Sequence, residues 1–163
     1  MPRYAKRMRT TEAVDADLLA AATQIRRGAT SLAARARVER GGVLSLNQTA
    51  VLGQLRKGGA MTPGEVAERL RMRPQSLTRT FAAADERGLI HRTPDPGDGR
   101  QSLLSITAAG RRVLGEEMRP RDVWLAATIA RELTIAEREV LVVAARLMER
   151  LSEVDVTPAQ VEP

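Results

Sequence analysis

The side chains with the clearest chemical potential are arginines, amides and hydroxyls, and they fall in two short stretches. The first stretch contributes five of them: Arg73, Gln75, Ser76, Thr78 and Arg79. The second is a turn-rich segment that contributes Asp98 and Arg100. Guanidinium and amide groups make paired hydrogen bonds with the planar acceptors of base edges and phosphates. No nucleophile with a neighbouring base, no carboxylate pair and no glycine-rich phosphate loop accompanies them, so the pattern indicates a binding surface and not an enzyme.

The first stretch lies in a predicted pair of short helices joined by a turn. Thr62-Pro-Gly-Glu65 has the spacing of a capping box with proline at the first helical position, which predicts that a helix begins there. Arg71-Met-Arg-Pro74 predicts the turn. Pro74 then opens a second helix to about Arg87, where Gly88 suits the left-handed residue that follows a helix.

The second helix of the pair has two chemically different faces. Leu77, Phe81 and Ala84 share the inner face, whereas Gln75 and Arg79 lie opposite. The exposed basic and neutral groups are concentrated in the N-terminal half, and the acidic residues lie at the far end. This polarity is expected of a recognition helix that enters the DNA major groove by its N-terminal end.

A β-hairpin is predicted directly after the helix pair. Residues 89–93 form a short strand, Asp95-Pro-Gly-Asp-Gly99 is dense in turn residues, and residues 100–106 form the returning strand. Helix, turn, helix and a hairpin with an arginine near its tip make the plan of a winged helix-turn-helix. The sequence therefore predicts a protein that binds double-stranded DNA.

Helices are also predicted on both sides of this unit. An apolar stripe at spacings of four and three indicates a helix over residues 15–40, and Ser45-Leu-Asn-Gln48 has capping-box spacing for the next helix. Thr107 is expected to cap a long helix that Pro120 kinks or splits, and Thr134-Ile-Ala-Glu137 is expected to open the last one. Alanine-rich terminal helices bury little area within one chain, so their stripes predict a homodimer.

The predicted fold class is mainly α with a small β-hairpin wing. The predicted organisation is a flexible basic arm at residues 1–11, a helical dimerisation region at residues 12–40 and 107–154, a winged helix-turn-helix DNA-binding domain at residues 45–106, and a disordered tail at residues 155–163.

The composition limits the classes of protein to consider. The chain has 163 residues and a net charge of +6, and between Arg56 and Arg112 it holds 11 basic and 6 acidic residues, so the excess positive charge lies on the predicted DNA-binding region. Cysteine is absent and His91 is the single histidine, so neither a metal site nor a cofactor is expected. With no apolar run of membrane-spanning length and no signal peptide, we expect a cytoplasmic protein without a membrane partner.

Three motifs resemble those of the MarR family of bacterial transcriptional regulators. They are Gly88-Leu-Ile-x-Arg92, Asp95-Pro-x-Asp98-x-Arg100 and Leu104-x-Ile106-Thr107-x-x-Gly110, and the close resemblance covers residues 62–110. It implies a homodimer whose first and last helices interleave. It also implies release from DNA when a small effector, often a phenolic anion, binds between the dimer and DNA-binding regions.

The resemblance further implies residue roles. Arg100 would enter the minor groove, Asp98 would position it by a salt bridge, and the helix from Pro74 would read the major groove. This chain departs from the family pattern at Gly99, where a second arginine is common. It departs again at Arg73, where serine or threonine often caps the reading helix, so we expect a weaker cap and an added phosphate contact there.

Three hypotheses about function remain after this reasoning. The first is a homodimeric repressor that binds a pseudo-palindromic operator, the second a winged-helix protein that acts mainly through protein–protein contacts, and the third a metal-responsive winged-helix regulator. The charge on the reading helix favours the first over the second, and the lack of cysteine opposes the third. His91, in a strand expected to be half-buried, and Trp124 are interpreted as structural residues.

Overall fold

The structure of the chain is a computed structural model that describes residues 16–39 and 42–154. The predicted arm at residues 1–11 and tail at residues 155–163 lie outside the described residues. In chain order the elements are α1 (Ala16–Ala36), α2 (Leu46–Gly58), α3 (Pro63–Arg69), α4 (Pro74–Glu86), β1 (Ile90–Pro94), β2 (Ser102–Ile106), α5 (Ala108–Glu132) and α6 (Ile135–Ser152). Contacts divide the chain into two units, one with the described residues 16–36 and 127–154 and the other spanning Arg37–Ala126.

The starts of the helices follow the predicted capping residues. Three helices begin with a reciprocal capping box, formed by Ser45 with Gln48, Thr62 with Glu65, and Thr134 with Glu137. In each box the hydroxyl accepts from one backbone N–H and the partner's side chain accepts from the other, which satisfies two donors that the helix leaves open. The side chain of Arg73 makes no such bond at the start of α4, as its type predicts.

The core of the Arg37–Ala126 unit is a cluster of fifteen buried apolar side chains from α2 to α5, the hairpin and the intervening loops. Leu77, Phe81 and Ala84 of α4 belong to it, which confirms the predicted inner face. Burial of one such large side chain contributes about 1.5–3 kcal/mol. Because these three residues fix which side of α4 faces inward, they also fix which side faces solvent.

The hairpin pairs β1 with β2 in antiparallel register, with Ile90 opposite Ile106 and Arg92 opposite Leu104. Met61, in the segment before α3, exchanges two backbone hydrogen bonds with Leu104, at N···O distances of 3.0 and 2.7 Å. The hairpin is therefore attached to the helix-turn-helix by backbone bonds as well as by its buried side chains.

Two expectations about the hairpin are wrong. The returning strand begins at Ser102 and not at Arg100, because the residues before it close a hydrogen-bonded turn. His91 is exposed, since only the first residue of β1 is buried.

The start of α5 depends on a close approach to the two residues just before β1. The hydroxyl of Thr107 donates to the carbonyl of Gly88 at 2.7 Å and accepts from the N–H of Gly110 at 3.0 Å, so it caps the helix as predicted. A Cβ atom at Gly110 would collide with the carbonyl of Leu89 and lie 2.9 Å from Ile106. The glycine of this motif is thus required by contact with backbone, which cannot move aside as a flexible side chain could.

Pro120 lies inside α5, which is a single continuous helix. Of the two predicted effects the split is wrong, and the kink stays a prediction. Proline removes one backbone N–H and so one hydrogen bond, and the helix continues without it.

The other unit is formed by α1, the last residues of α5, and α6. None of the described residues of α1 or α6 is buried. Their predicted stripes are exposed, with 61% of Leu18 and 68% of Val140 accessible to solvent. No helix in the described part of the chain is both long and apolar enough to cross a membrane.

We predict opposite effects of alanine at two glycines of α5. Gly110→Ala should lower the free energy of unfolding by about 1–2 kcal/mol, because the overpacking against Leu89 exceeds the gain in helix propensity. Gly115→Ala, where a Cβ meets no atom within 4 Å, should raise it by about 0.5–1 kcal/mol. Urea unfolding at one fixed protein concentration measures both. Equal stabilisation by the two substitutions would show that the approach of α5 to Leu89 is not as tight as described.

Candidate nucleic-acid interface

The N-terminal half of α4, with the residue directly before it, presents five of the predicted DNA-binding residues to solvent. The exposed residues are Arg73, Gln75, Ser76, Thr78 and Arg79. Leu77 lies among them in the sequence but is buried, because a helix of 3.6 residues per turn brings only every third or fourth side chain to the inner face. The structure therefore brings these five together on the outer surface of the first two turns.

The turn before α4 adds a basic residue that the sequence analysis did not include. Arg71 is exposed and has a φ of 52°, a left-handed conformation that is uncommon outside glycine. Its N–H donates to the carbonyl of Glu68 at 2.9 Å, which closes the turn between α3 and α4. Arg71 and Arg73 thus both lie just before the start of α4. Periodicity gives no signal for such a turn residue.

The acidic end of α4 is tied to the hairpin. Arg92 of β1 donates from Nε to the carboxylate of Asp85 at 3.2 Å and from Nη1 to the hydroxyl of Ser102 at 3.4 Å. Both charged side chains are about 40% exposed, at 39% and 42%, so the ion pair is screened by water. It joins the end of α4 to both strands, and it offsets a negative charge near the reading surface.

The wing tip is organised by the carboxylate of Asp98. One oxygen accepts from the backbone N–H of Arg100 at 3.0 Å, and the other accepts from the side-chain amide of Gln101 at 2.9 Å. Among the described residues no ion pair joins Asp98 to the guanidinium of Arg100, so the salt bridge that the resemblance implied is not formed. A short carboxylate readily bonds the N–H two residues on, and Asp98 therefore positions Arg100 through its backbone.

Arg100 is left with its side chain exposed at the turn between the strands. The turn is closed on both sides, since the N–H of Asp95 donates to the carbonyl of Gln101 at 3.0 Å and the N–H of Gln101 donates to the carbonyl of Asp98 at 2.8 Å. Asp95 also accepts from the N–H of Gly97 at 2.8 Å. A stiff turn therefore presents a guanidinium that makes no hydrogen bond with the described residues.

Gln101 is the residue of the wing that sequence reasoning missed. The amide of Gln101 and the backbone N–H of Arg100 hold the pKa of Asp98 below its usual value of 3.8. Both bonds require the ionised carboxylate. Their contribution to stability is thus fully present above pH 3.8 and is lost as the pH falls through the lowered pKa of the folded state.

We predict that Gln101→Ala raises the pKa of Asp98 toward its usual value, because one of the two hydrogen bonds to its carboxylate is removed. Titration of the side-chain carboxyl by carbon NMR measures this pKa directly. Gln75→Ala, the same change on α4, serves as the control and should leave the pKa of Asp98 unaltered. A pKa that is equal in the parent and in Gln101→Ala would show that the amide does not hold the carboxylate in solution.

Metal ligands are not assembled anywhere in residues 16–39 or 42–154: no group of three histidine, cysteine, aspartate or glutamate side chains is placed to hold an ion.

Comparison with known proteins agrees with this geometry. The model of the MarR family matches residues 44–101. An uncharacterized HTH-type transcriptional regulator of Mycobacterium bovis is 43% identical over 115 residues, which are 71% of this chain and 78% of that protein. A MarR family protein of Bacillus stearothermophilus shares the fold, with a TM-score of 0.68, 20% identity and coverage of 85% of this chain and 97% of that chain. BpsR of Bordetella bronchiseptica, whose DNA binding is regulated by 6-hydroxynicotinic acid, has a TM-score of 0.55 and 24% identity, and the match covers 82% of this chain and 94% of that chain. The chain belongs to the MarR family and is a transcriptional regulator, not an enzyme.

Proposed function

We propose that two copies of this chain bind a pseudo-palindromic operator and repress transcription by occupying it. The observation that carries the proposal is the exposed, basic and hydrogen-bonding surface of the first two turns of α4. A helix that enters the major groove contacts base edges with its N-terminal residues, and this is where the five polar side chains lie.

The side chains of α4 divide into two roles. In the major groove the guanidinium of Arg79 can pair with the two acceptors of guanine, and the amide of Gln75 can pair with the donor and acceptor of adenine. Ser76 and Thr78 donate to phosphates or bases, and Arg73 lies before the helix where a phosphate contact positions the protein without reading sequence.

The wing supplies a second contact. Arg100 is exposed on a turn that backbone hydrogen bonds and Asp98 hold in place, so its backbone loses little freedom on binding. The narrow minor groove beside a bound recognition helix has a strongly negative potential that attracts arginine. We assign Arg100 to that groove.

Dimerisation follows from the exposed stripes of the terminal helices. Leu18, Ile25 and Leu32 of α1 are 41–61% exposed, and Val140 and Leu151 of α6 are 67–68% exposed. A two-fold axis places identical patches against each other, so a second copy covers both stripes. Two-fold symmetry of the protein then imposes two matching half-sites on the DNA.

Release of DNA by a small effector is part of the proposal. Regulation of BpsR by 6-hydroxynicotinic acid is the precedent for a small aromatic acid as the ligand. A phenolic or carboxylate anion suits a chain with 24 arginines among its 26 basic residues.

We predict a dimer that selects an inverted repeat. Light scattering at micromolar concentration should give twice the mass of one chain, and genomic fragments retained by the protein should share two half-sites about one helical turn, roughly 34–36 Å, apart. Footprinting then locates the protected bases. A stable monomer, or a retained site without a pseudo-palindrome, contradicts the proposal, and failure to retain any DNA would favour a protein partner.

We predict different losses for the two arginines. Arg79→Ala should cost about 1–3 kcal/mol and relax the preference at one position of each half-site, because a base contact is lost. Arg100→Ala should weaken binding to specific and scrambled DNA alike and reduce the salt slope by about 1, because a cation near the backbone is lost. Asp98→Ala should reproduce part of the Arg100→Ala effect.

The measurement is a salt titration of each variant against specific and scrambled DNA. Arg112→Ala removes the same charge from the exposed surface of α5 and is the matched control. Binding by Arg100→Ala that equals the parent on both DNAs would remove the wing from the interface.

A further inference from the structure

We propose that Glu117 is a positioning residue for the DNA-reading helix, which it holds through the segment that precedes α2. The inference rests on the proposed function. It goes beyond the residues that face DNA, because Glu117 lies in α5 and is 0% exposed.

The carboxylate of Glu117 is bonded on both of its oxygens. Oε2 accepts from the backbone N–H of Val43 at 3.0 Å and from that of Leu44 at 3.3 Å. Oε1 accepts from Nη2 of Arg121 at 3.4 Å, one turn further along α5. The charge is thus paired within the helix, and the remaining hydrogen bonds reach a segment more than seventy positions away in the chain.

A buried carboxylate requires an explanation, because an apolar side chain of similar size would fill the same space without desolvating a charge. The explanation lies in the segment that it binds. Of three successive N–H groups, those of Val43 and Leu44 donate to Glu117 and that of Ser45 donates to the side chain of Gln48 at 3.0 Å. No backbone carbonyl of the described residues accepts from these three N–H groups, so side chains bind all of them.

The same segment contacts the end of the reading helix. The carbonyl of Val43 accepts from Nη1 of Arg87 at 3.4 Å, and Arg87 directly follows the last residue of α4. A continuous path therefore leads from α5 through Glu117 and Val43 to Arg87. Ser45, which follows the segment, also caps α2, so movement of the segment shifts the start of α2 and the end of α4 together.

The position of Glu117 gives this path a function in DNA recognition. The chain enters the Arg37–Ala126 unit at Arg37, on the N-terminal side of Val43, and leaves it at Ala126 of α5, on the C-terminal side of Glu117. Glu117 therefore fastens the entering segment to the leaving helix inside the unit that reads DNA. In a dimer on an inverted repeat, such fastening determines how strictly the two reading helices demand one spacing of the half-sites.

The test compares affinities for a panel of inverted repeats whose central spacer is changed by one or two base pairs. The ratio of affinities between the best spacer and its neighbours is independent of the fraction of active protein, so simple destabilisation does not alter it. Glu117→Gln keeps the shape of the side chain but removes its charge. Its amide NH2 then faces the guanidinium of Arg121, and its neutral oxygen is left to accept from the N–H groups of Val43 and Leu44. Glu116→Gln, the same change at the adjacent exposed residue, is the matched control.

We expect the parent and Glu116→Gln to share one spacing ratio, and Glu117→Gln to reduce it by about threefold to tenfold. Arg87→Ala removes the contact at the other end of the path from an exposed position, so it does not disturb the core, and it should reduce the ratio as well. If Glu117→Gln does not fold, Arg87→Ala decides the question.

If Glu117→Gln and Arg87→Ala both fold and both keep the affinity ratio of the parent, the inference is overturned and the proposed function stays intact. If Glu117→Gln does not fold, a parental ratio in Arg87→Ala has the same consequence. A parent protein that binds DNA without preferring any inverted repeat overturns the proposed function, and the inference falls with it.

Discussion

Packing of the inner face of α4 is the interaction on which the rest of the proposed DNA-binding surface depends. Leu77, Phe81 and Ala84 are almost completely buried, and their spacing fixes the rotation of the helix about its axis. That rotation alone decides that Gln75 and Arg79 face solvent. With one phenylalanine in the chain, the core relies on aliphatic side chains, so a change of a single methylene group at these positions alters the reading surface.

The exposed ion pair beside the interface and the buried ion pair in the core differ in how much they contribute to stability. The pair of Arg92 with Asp85 is half exposed and contributes about 0–1 kcal/mol, so it orients groups more than it stabilises them. The carboxylate of Glu117 is wholly buried, and removal of one member of such a pair typically costs about 3–5 kcal/mol. A change of charge in the wing is therefore expected to cost little stability, whereas the loss of the Glu117 charge between α5 and the segment before α2 is expected to cost much more.

Sequence reasoning succeeded where the determinants are local. Each capping box spans four residues, and the inner face of α4 repeats at helical spacing, so both were predicted and are confirmed. It failed where a residue's environment is set from afar. Glu117 looks like any surface glutamate on a helix, because its partners Val43 and Leu44 are 74 and 73 positions away. Sequence reasoning assigned Arg100 to the returning strand, whereas hydrogen bonds to Asp98 hold Arg100 and Gln101 in the turn. Residue type gives no sign of these bonds, so the start of the strand was predicted two residues too early.

The distribution of burial between the two units has a consequence for regulation. Every buried apolar residue of the described chain lies between Leu44 and Leu114, within the Arg37–Ala126 unit. That unit therefore has a core of its own, whereas α1 and α6 contribute no buried side chain to one copy of the chain. Pairing of the terminal helices and folding of the DNA-reading unit thus draw on separate sets of side chains. A ligand that acted on the proposed pairing alone would therefore leave the core of the Arg37–Ala126 unit intact.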